Sequence, residues 1–386
     1  MAAVSSKIRI GVVGLGAVAQ SVHLPLIQRR WDLFELVAIA DLSPTLLGSV
    51  GDQFGVGAEH RHGSLTEMLD AEKLDGVVIL TSGSHGAPAL EAMERGVAVF
   101  CEKPLAFSLA EVDALAAAEE RAGRPLLLLA YMKEYDPAVQ ALRAMQPAAE
   151  DIRYVDVEVL HPSSAAQLAF ANLQPPARDF DTTVLAGLVA RDAAAIDTAI
   201  GAGTPAALRS LYTDVIAGSL IHDISLLRSL LGSIVTIDTA AQWSAGADAG
   251  SLEFGGTISR AARVHLTWNY LPDYPVYRET VRIHHTTGSL ELEFTVPYLL
   301  NAPTEFRAVA SSDGAASSNA EVRSSFRSVT EAFETELARF HAMAVDGIEP
   351  LSGIRHGRED LVTAQRMAAA LAGTMDVVLG GEAGQL

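Results

Sequence analysis

The sequence predicts an α/β first half with a doubly wound parallel sheet. An α+β second half follows, with a large, mainly antiparallel open sheet. Three observations carry this. Residues 7–20 run an apolar β-type stretch directly into a glycine turn and a helical pattern. From there to about residue 130, apolar strands alternate with helical stretches, the rhythm of parallel strands joined by crossover helices. From about residue 150 the pattern changes to strands with one polar face, separated by turn residues, as antiparallel pairing requires.

The opening stretch organises the chain. Ile8, Ile10, Val12 and Val13 form a buried strand that ends at Gly14-Leu15-Gly16-Ala17-Val18-Ala19. A strand, a glycine turn and a helix start are what a dinucleotide pyrophosphate needs. Gly14 permits the tight turn, Gly16 lets the backbone approach the phosphates, and the free N–H groups around Ala17 and Val18 face the anion. Ala19 stands where the third glycine of such fingerprints is found and is small enough for close helix–strand packing. A second strand, 35–40, ends in Asp41, at the spacing where a carboxylate accepts from the adenosine ribose hydroxyls. A carboxylate there favours NAD over NADP, because it repels a 2′-phosphate and no arginine follows it.

The following elements keep the alternation. Ser43 and Pro44 start a helix to Phe54, and Ser64 with Glu67 has the spacing of a capping box. Residues 76–81 are a buried strand, 85–95 a helix closed by Gly96, and 97–101 the next strand. Ser108 caps a long helix with Gly123 after it, and 125–130 is the last strand of this half. The ligand edge of such a sheet is the carboxyl end of its strands. That places chemistry at Asp41, at Thr81, Ser82 and His85, and at Glu102 and Lys103. A lone lysine in a turn is ordinarily a solvated surface residue; one just past a buried strand, on this edge, can reach a substrate beside the nicotinamide.

In the second half, 154–160 alternates as a strand and 161–183 reads as a loop. Helical stretches cover 184–200 and 205–231, and strands cover 234–243, 250–256, 259–268, 276–285 and 288–295. A loop is expected at 311–320, then closing helices at 327–346 and 355–372. His222 lies on an amphipathic helical stretch, where a continuous helix would align Asp214, Gly218 and His222 along one face. Asp223 then points elsewhere. His23 and His85 sit at helix starts of the first half, as packing residues or near the cofactor. His284 and His285 face opposite sides of a strand, and no metal site is expected.

Composition narrows the function. The chain has 386 residues, long enough for two domains with their own cores, expected at 1–130 and 131–386, with the closing helices packing back on the first. The net charge of −19 argues against nucleic acid and against an anionic membrane surface as partners. The single cysteine, Cys101, excludes an intramolecular disulfide and a thiolate metal cluster. Residues 1–7 lack the apolar core of a signal peptide and no run reaches membrane-spanning length, so a cytoplasmic location is expected.

The glycine-rich start, the acidic end of the second strand, Cys101-Glu102-Lys103-Pro104-Leu105-Ala106 and a histidine on a later helix together resemble the glucose–fructose oxidoreductase/inositol dehydrogenase (Gfo/Idh/MocA) family. The likeness runs from Ile8 to about Gly373, and residues 131–137 look like that family's interdomain segment. The resemblance implies a Rossmann first domain and an NAD cofactor, with NADP as the alternative. It also implies a sugar or cyclitol substrate and a homodimer or homotetramer assembled through the second sheet. A secondary hydroxyl would be oxidised, or its ketone reduced. His222 would be the base, since imidazole's ordinary pKa of about 6.5 suits proton transfer near neutrality. Lys103 would stabilise the developing alkoxide. Tyr131, Lys133 and Asp214 would contribute to the substrate pocket. The chain departs from the family where an aspartate commonly stands one turn before the histidine; here it is Gly218. Two other functions fit the same pattern: redox-assisted elimination of a sugar substituent with recycled NAD, and a nucleotide-binding regulator without catalysis.

Overall fold

A computed structural model describes residues 6–175, 177–243, 250–258, 262–312 and 320–386. The chain divides into two compact units: Met1–Tyr131 with Ala171–Ala202 and Phe333–Leu361, and Met132–Phe170 with Gly203–Ala332 and Val362–Leu386.

The first unit holds a six-stranded sheet. Its strands are β1 (Ile8–Val13), β2 (Phe34–Ala40), β3 (Arg61–His62), β4 (Gly76–Ile79), β5 (Ala98–Cys101) and β6 (Leu127–Leu129). They pair in parallel in the order β3-β2-β1-β4-β5-β6. Their residues are buried almost throughout, as a sheet covered on both faces demands. The crossovers are α1 (Leu24–Arg29), α2 (Pro44–Phe54), α3 (Leu65–Ala71), α4 (Gly86–Glu94) and α5 (Leu109–Ala122). Ser43, Ser64 and Ser108 cap α2, α3 and α5, and Gly123 ends α5 at φ 65°. The strand order reverses between β1 and β4, where a doubly wound sheet opens its ligand crevice.

The second unit is built on an eight-stranded sheet. It comprises β7 (Ile152–His161), β8 (Ile234–Trp243), β9 (Ser251–Ile258), β10 (Arg263–Tyr270), β11 (Arg278–His285), β12 (Gly288–Phe294), β13 (Glu305–Ser311) and β14 (Glu321–Arg327). The order is β14-β13-β12-β11-β7-β10-β9-β8, antiparallel except for the β7–β10 pair. Val155, Val157, Leu266, Val281, Ile283 and Leu292 bury one face, and alternate residues carry a charged ladder such as Arg282–Glu291–Arg307 on the other. The second unit's helices are α6 (Pro137–Met145), α7 (Ser164–Leu168), α9 (Ala206–Ser210) and α10 (Ile221–Leu231); α8 (Thr182–Ile200) and α11 (Ala332–Asp346) fall in the first unit's later segments, and α12 (Ile354–Thr374) runs across the division at Leu361.

Four expectations need correction. The stretch at 161–183 contains the short helix α7, capped by Ser163. β13 and β14 replace part of what reads as loop and helix start, so α11 begins at Ala332 rather than 327. The strand expected at 259–268 starts at Arg263, with 259–261 outside the described residues, as are 313–319 of the expected loop. Finally, 205–231 is not one α-helix: Leu211–Leu220, between α9 and α10, is π-helical.

Candidate active site

The first unit presents the expected dinucleotide seat. Gly14 adopts φ +87°, and a Cβ there would lie 2.8 Å from the Leu80 backbone, so only glycine lets β1 turn beside β4. Gly16 has the opposite character: it is exposed, and a Cβ on it would meet nothing within 4 Å. This is the open cradle a pyrophosphate requires, and the residues present fit the group. Ala17 and Val18 line it half-buried, while Leu15 and Ala19 pack inward. Asp41, at the end of β2, accepts the Leu15 N–H at 2.8 Å through one carboxylate oxygen and the Ser43 N–H at 2.8 Å through the other. It therefore ties the glycine loop to the start of α2 and keeps lone pairs for ribose hydroxyls.

Beyond β4, Thr81 and Ser82 remain accessible on the loop, whereas His85 is turned inward. Its Nδ1 lies 2.7 Å from the Pro104 carbonyl and its Nε2 2.8 Å from that of Thr81. Burial pushes this imidazole below its ordinary pKa despite the two carbonyls. His85 thus fastens the Lys103–Pro104 turn to the end of β4, a positioning role.

Lys103 follows β5 and is half-buried. The turn is held from behind by Glu102, whose Oε1 lies 2.9 Å from His23 Nε2 and whose Oε2 accepts the Lys103 N–H at 3.1 Å. His23 reaches Glu102 from a π-helical turn, Ala19–His23, that precedes α1. Burial raises the Glu102 carboxyl, but the His23 bond and the charges of His23 and Lys103 outweigh it and hold the group below its usual value.

Two acids that sequence reasoning missed come from residues 171–202, which cluster with this unit. Asp192, on α8, lies against the 81–85 loop: the Ser84 N–H approaches its Oδ2 at 3.4 Å, and a Cβ on Gly83 would fall 1.9 Å from that oxygen. Asp179 accepts from Ser43 Oγ at 2.5 Å, Thr45 N–H at 2.9 Å and Thr45 Oγ1 at 2.6 Å. These bonds hold its carboxyl down at about 2. No local pattern signals contacts of more than a hundred residues' separation.

In the second unit, His222 opens α10 and is half-buried; Gly218 is half-buried and Asp214 exposed on the preceding π-helix. Asp214 Oδ1 accepts from Thr213 Oγ1 at 2.9 Å. A Cβ on Gly218 would lie 2.8 Å from the Thr213 carbonyl oxygen. The widened turn therefore uses the space an aspartate side chain would need, which accounts for glycine at this position.

Asp223 points away from His222, into a buried cluster. Lys133 Nζ lies 2.9 Å from Asp223 Oδ1 and 2.5 Å from Glu279 Oε1, and Tyr277 Oη donates to Glu279 Oε2 at 2.7 Å. Burial and the neighbouring Glu279 push Asp223 well above the usual carboxylate range, while Lys133 holds Glu279 down against burial. Lys133 is thus a core ion-pair residue in this structure. Tyr131, the last residue of the first unit's opening stretch, is buried at 1% exposure. A row of rings lies in the second unit: His161 against Trp268 at 5.1 Å, and Trp268 stacked on Tyr270 at 5.9 Å. Trp268 Nε1 donates to Ser219 Oγ at 3.0 Å, which fixes the row beside the π-helix.

Among the described residues there is no cluster of histidine, cysteine and acidic side chains able to hold a metal. None of their helices is long and apolar enough to cross a membrane. His284 stacks on Tyr154 at 5.8 Å.

Residues 8–129 match the family described as an oxidoreductase family with an NAD-binding Rossmann fold. An inositol 2-dehydrogenase from Burkholderia ambifaria is 32% identical over 137 residues, 35% of this chain and 40% of that protein. A D-apiose dehydrogenase from Paraburkholderia graminis is 39% identical over 123 residues, 31% of this chain and 32% of that protein. The chain thus spans well under half the length of these curated relatives. A UDP-N-acetylglucosamine 3-dehydrogenase from Acidithiobacillus ferrooxidans has the same fold at a TM-score of 0.68, over 95% of this chain and 99% of that one, with 20% identity. The glycine seat, the acid closing β2 and the Glu102-Lys103-Pro104 turn lie within the matched residues, so residues 8–129 are similar to that oxidoreductase family with its NAD-binding Rossmann fold.

Proposed function

We propose that the protein is an NAD-dependent oxidoreductase acting on a secondary hydroxyl, or the corresponding ketone, of a sugar, sugar derivative or cyclitol. The observation that carries the reading is the seating of Lys103: an ammonium placed just past β5 on the cofactor edge, with a buried Glu102–His23 pair fixing its backbone. A surface lysine needs no such support.

Gly14, Gly16, Ala17 and Val18 hold the pyrophosphate, Asp41 the adenosine ribose, and Thr81 and Ser82 border the nicotinamide half. NAD supplies the hydride acceptor when bound. Lys103 Nζ donates to the reacting oxygen and stabilises negative charge as it develops there, where preorganised donors contribute most. His222 takes the hydroxyl proton. Asp214, exposed on the π-helix before α10, and the ring row ending at Trp268 and Tyr270 meet other parts of the substrate. His85 and Glu102 position the Lys103 turn from inside. Assembly as a homodimer or homotetramer uses the charged face of the eight-stranded sheet.

The test is nicotinamide absorbance with a panel of aldoses, their nucleotide-linked forms and inositols. Bulk reduction of NAD supports the reading. Loss of a sugar substituent without net reduction, or binding without either, contradicts it.

A further inference from the structure

We propose that Asp179 sets the cofactor preference: its carboxylate occupies the seat of a 2′-phosphate, so the protein accepts NAD and rejects NADP. The inference rests on the dinucleotide reading of the glycine loop given above.

The ribose end of that seat is marked by Asp41 at the tip of β2, and the next residues are Leu42, Ser43, Pro44 and Thr45, the first turn of α2. Such a turn carries backbone N–H groups without intrahelical partners, and here two hydroxyls beside them. Left open, Ser43 Oγ, Thr45 N–H and Thr45 Oγ1 would make a good phosphate seat even without an arginine. All three donate to Asp179 instead, at 2.5, 2.9 and 2.6 Å. The chain supplies its own anion from more than 130 residues away.

That anion is anchored a second time. The Gln174 N–H donates to Gln20 Oε1 at 2.9 Å, and Gln20 Nε2 donates to the Leu15 carbonyl at 2.7 Å. The segment carrying Asp179 is therefore fastened both to the glycine loop and to the start of α2. An incoming 2′-phosphate finds its donors taken and faces two carboxylates, Asp41 and Asp179. A 2′-hydroxyl carries no charge and can donate to Asp41, so NAD incurs neither penalty.

The test is calorimetric titration of NAD and NADP into the parent protein, D179N and D179A, with D41A as comparison. D179N keeps a tethering oxygen and removes the charge; D179A removes both. NADP affinity is expected to rise about tenfold or more in D179N, the scale of relieving one close like-charge contact, with NAD affinity nearly unchanged. An unchanged NAD-to-NADP ratio in D179N, with its circular dichroism as in the parent, overturns the proposal even if D179A fails to fold. A shift in D41A alone overturns it as well. If the parent binds NAD and the ratio stays put, only this inference fails; if the parent binds no dinucleotide, the underlying reading fails with it.

Discussion

His23 Nε2 stands 2.9 Å from Glu102 Oε1 with the histidine fully inside the first unit, joining the helix that follows the glycine loop to the turn that carries Lys103. The remaining carboxylate oxygen accepts the Lys103 N–H. The pair couples the two ends of the proposed chemistry, cofactor seat and proton-side ammonium, through one buried bond.

Removing one member of a buried pair leaves the other without its partner, at a cost of about 3 kcal/mol or more. His23→Ala and Glu102→Ala are expected to lose stability on that scale in urea unfolding, and Glu102→Gln to lose less. Glu102 also has a pH signature. Its folded value lies below the ordinary 4.5. Its contribution is therefore complete above that value and is withdrawn as pH falls through the folded one. Acid unfolding of Glu102→Gln should be correspondingly less steep than that of the parent below pH 4.5.

The buried cluster in the second unit gives an asymmetric prediction. Lys133 compensates Glu279, whereas burial and the neighbouring Glu279 push Asp223 well above the usual carboxylate range, towards its neutral form. Lys133→Met should destabilise by about 3–5 kcal/mol, because a buried carboxylate loses its cation. Asp223→Asn replaces a carboxyl pushed towards its neutral form by an amide of the same shape and should be mild. Equal losses in urea melts would mean that Asp223 is ionised.

The two glycines of the loop should separate folding from binding. Gly14→Ala puts a Cβ 2.8 Å from the Leu80 backbone at positive φ and should destabilise the first unit. Gly16→Ala meets nothing within 4 Å in the protein, so its melting should match the parent. Its NAD affinity should nevertheless drop by about tenfold or more, since the methyl intrudes where the pyrophosphate must approach the backbone. Calorimetry on both variants checks this.

Gly218 is a position where the family's aspartate cannot simply be restored. A Cβ there meets the Thr213 carbonyl at 2.8 Å, so Gly218→Ala and Gly218→Asp should both destabilise by about 1–3 kcal/mol, as other steric insertions do. A stable, more active Gly218→Asp would show that the π-helical turn is not required.

Much of this was readable from local chemistry. Serine caps at 43, 64 and 108, the apolar strands of the first sheet and the Asp41 and Lys103 positions all follow from short-range rules. β14 escaped because every residue from Glu321 to Arg327 is exposed, so no apolar alternation marks it. The π-helix escaped because apolar spacing does not report hydrogen-bond register; Gly218 was its signal. Asp179, Asp192 and the Lys133–Asp223–Glu279 cluster depend on contacts between distant segments, which no window of sequence contains.

The central claim is that Lys103 acts on the reacting oxygen of a sugar hydroxyl, with the cofactor seat independent of it. The most direct measurement is steady-state NAD reduction by the parent and Lys103→Met with the best polyol of the panel, alongside NAD titration of both. The account predicts turnover lowered by about a hundredfold or more, as for loss of a donor to a developing oxyanion, with NAD affinity unchanged. Near-normal turnover in Lys103→Met would contradict it.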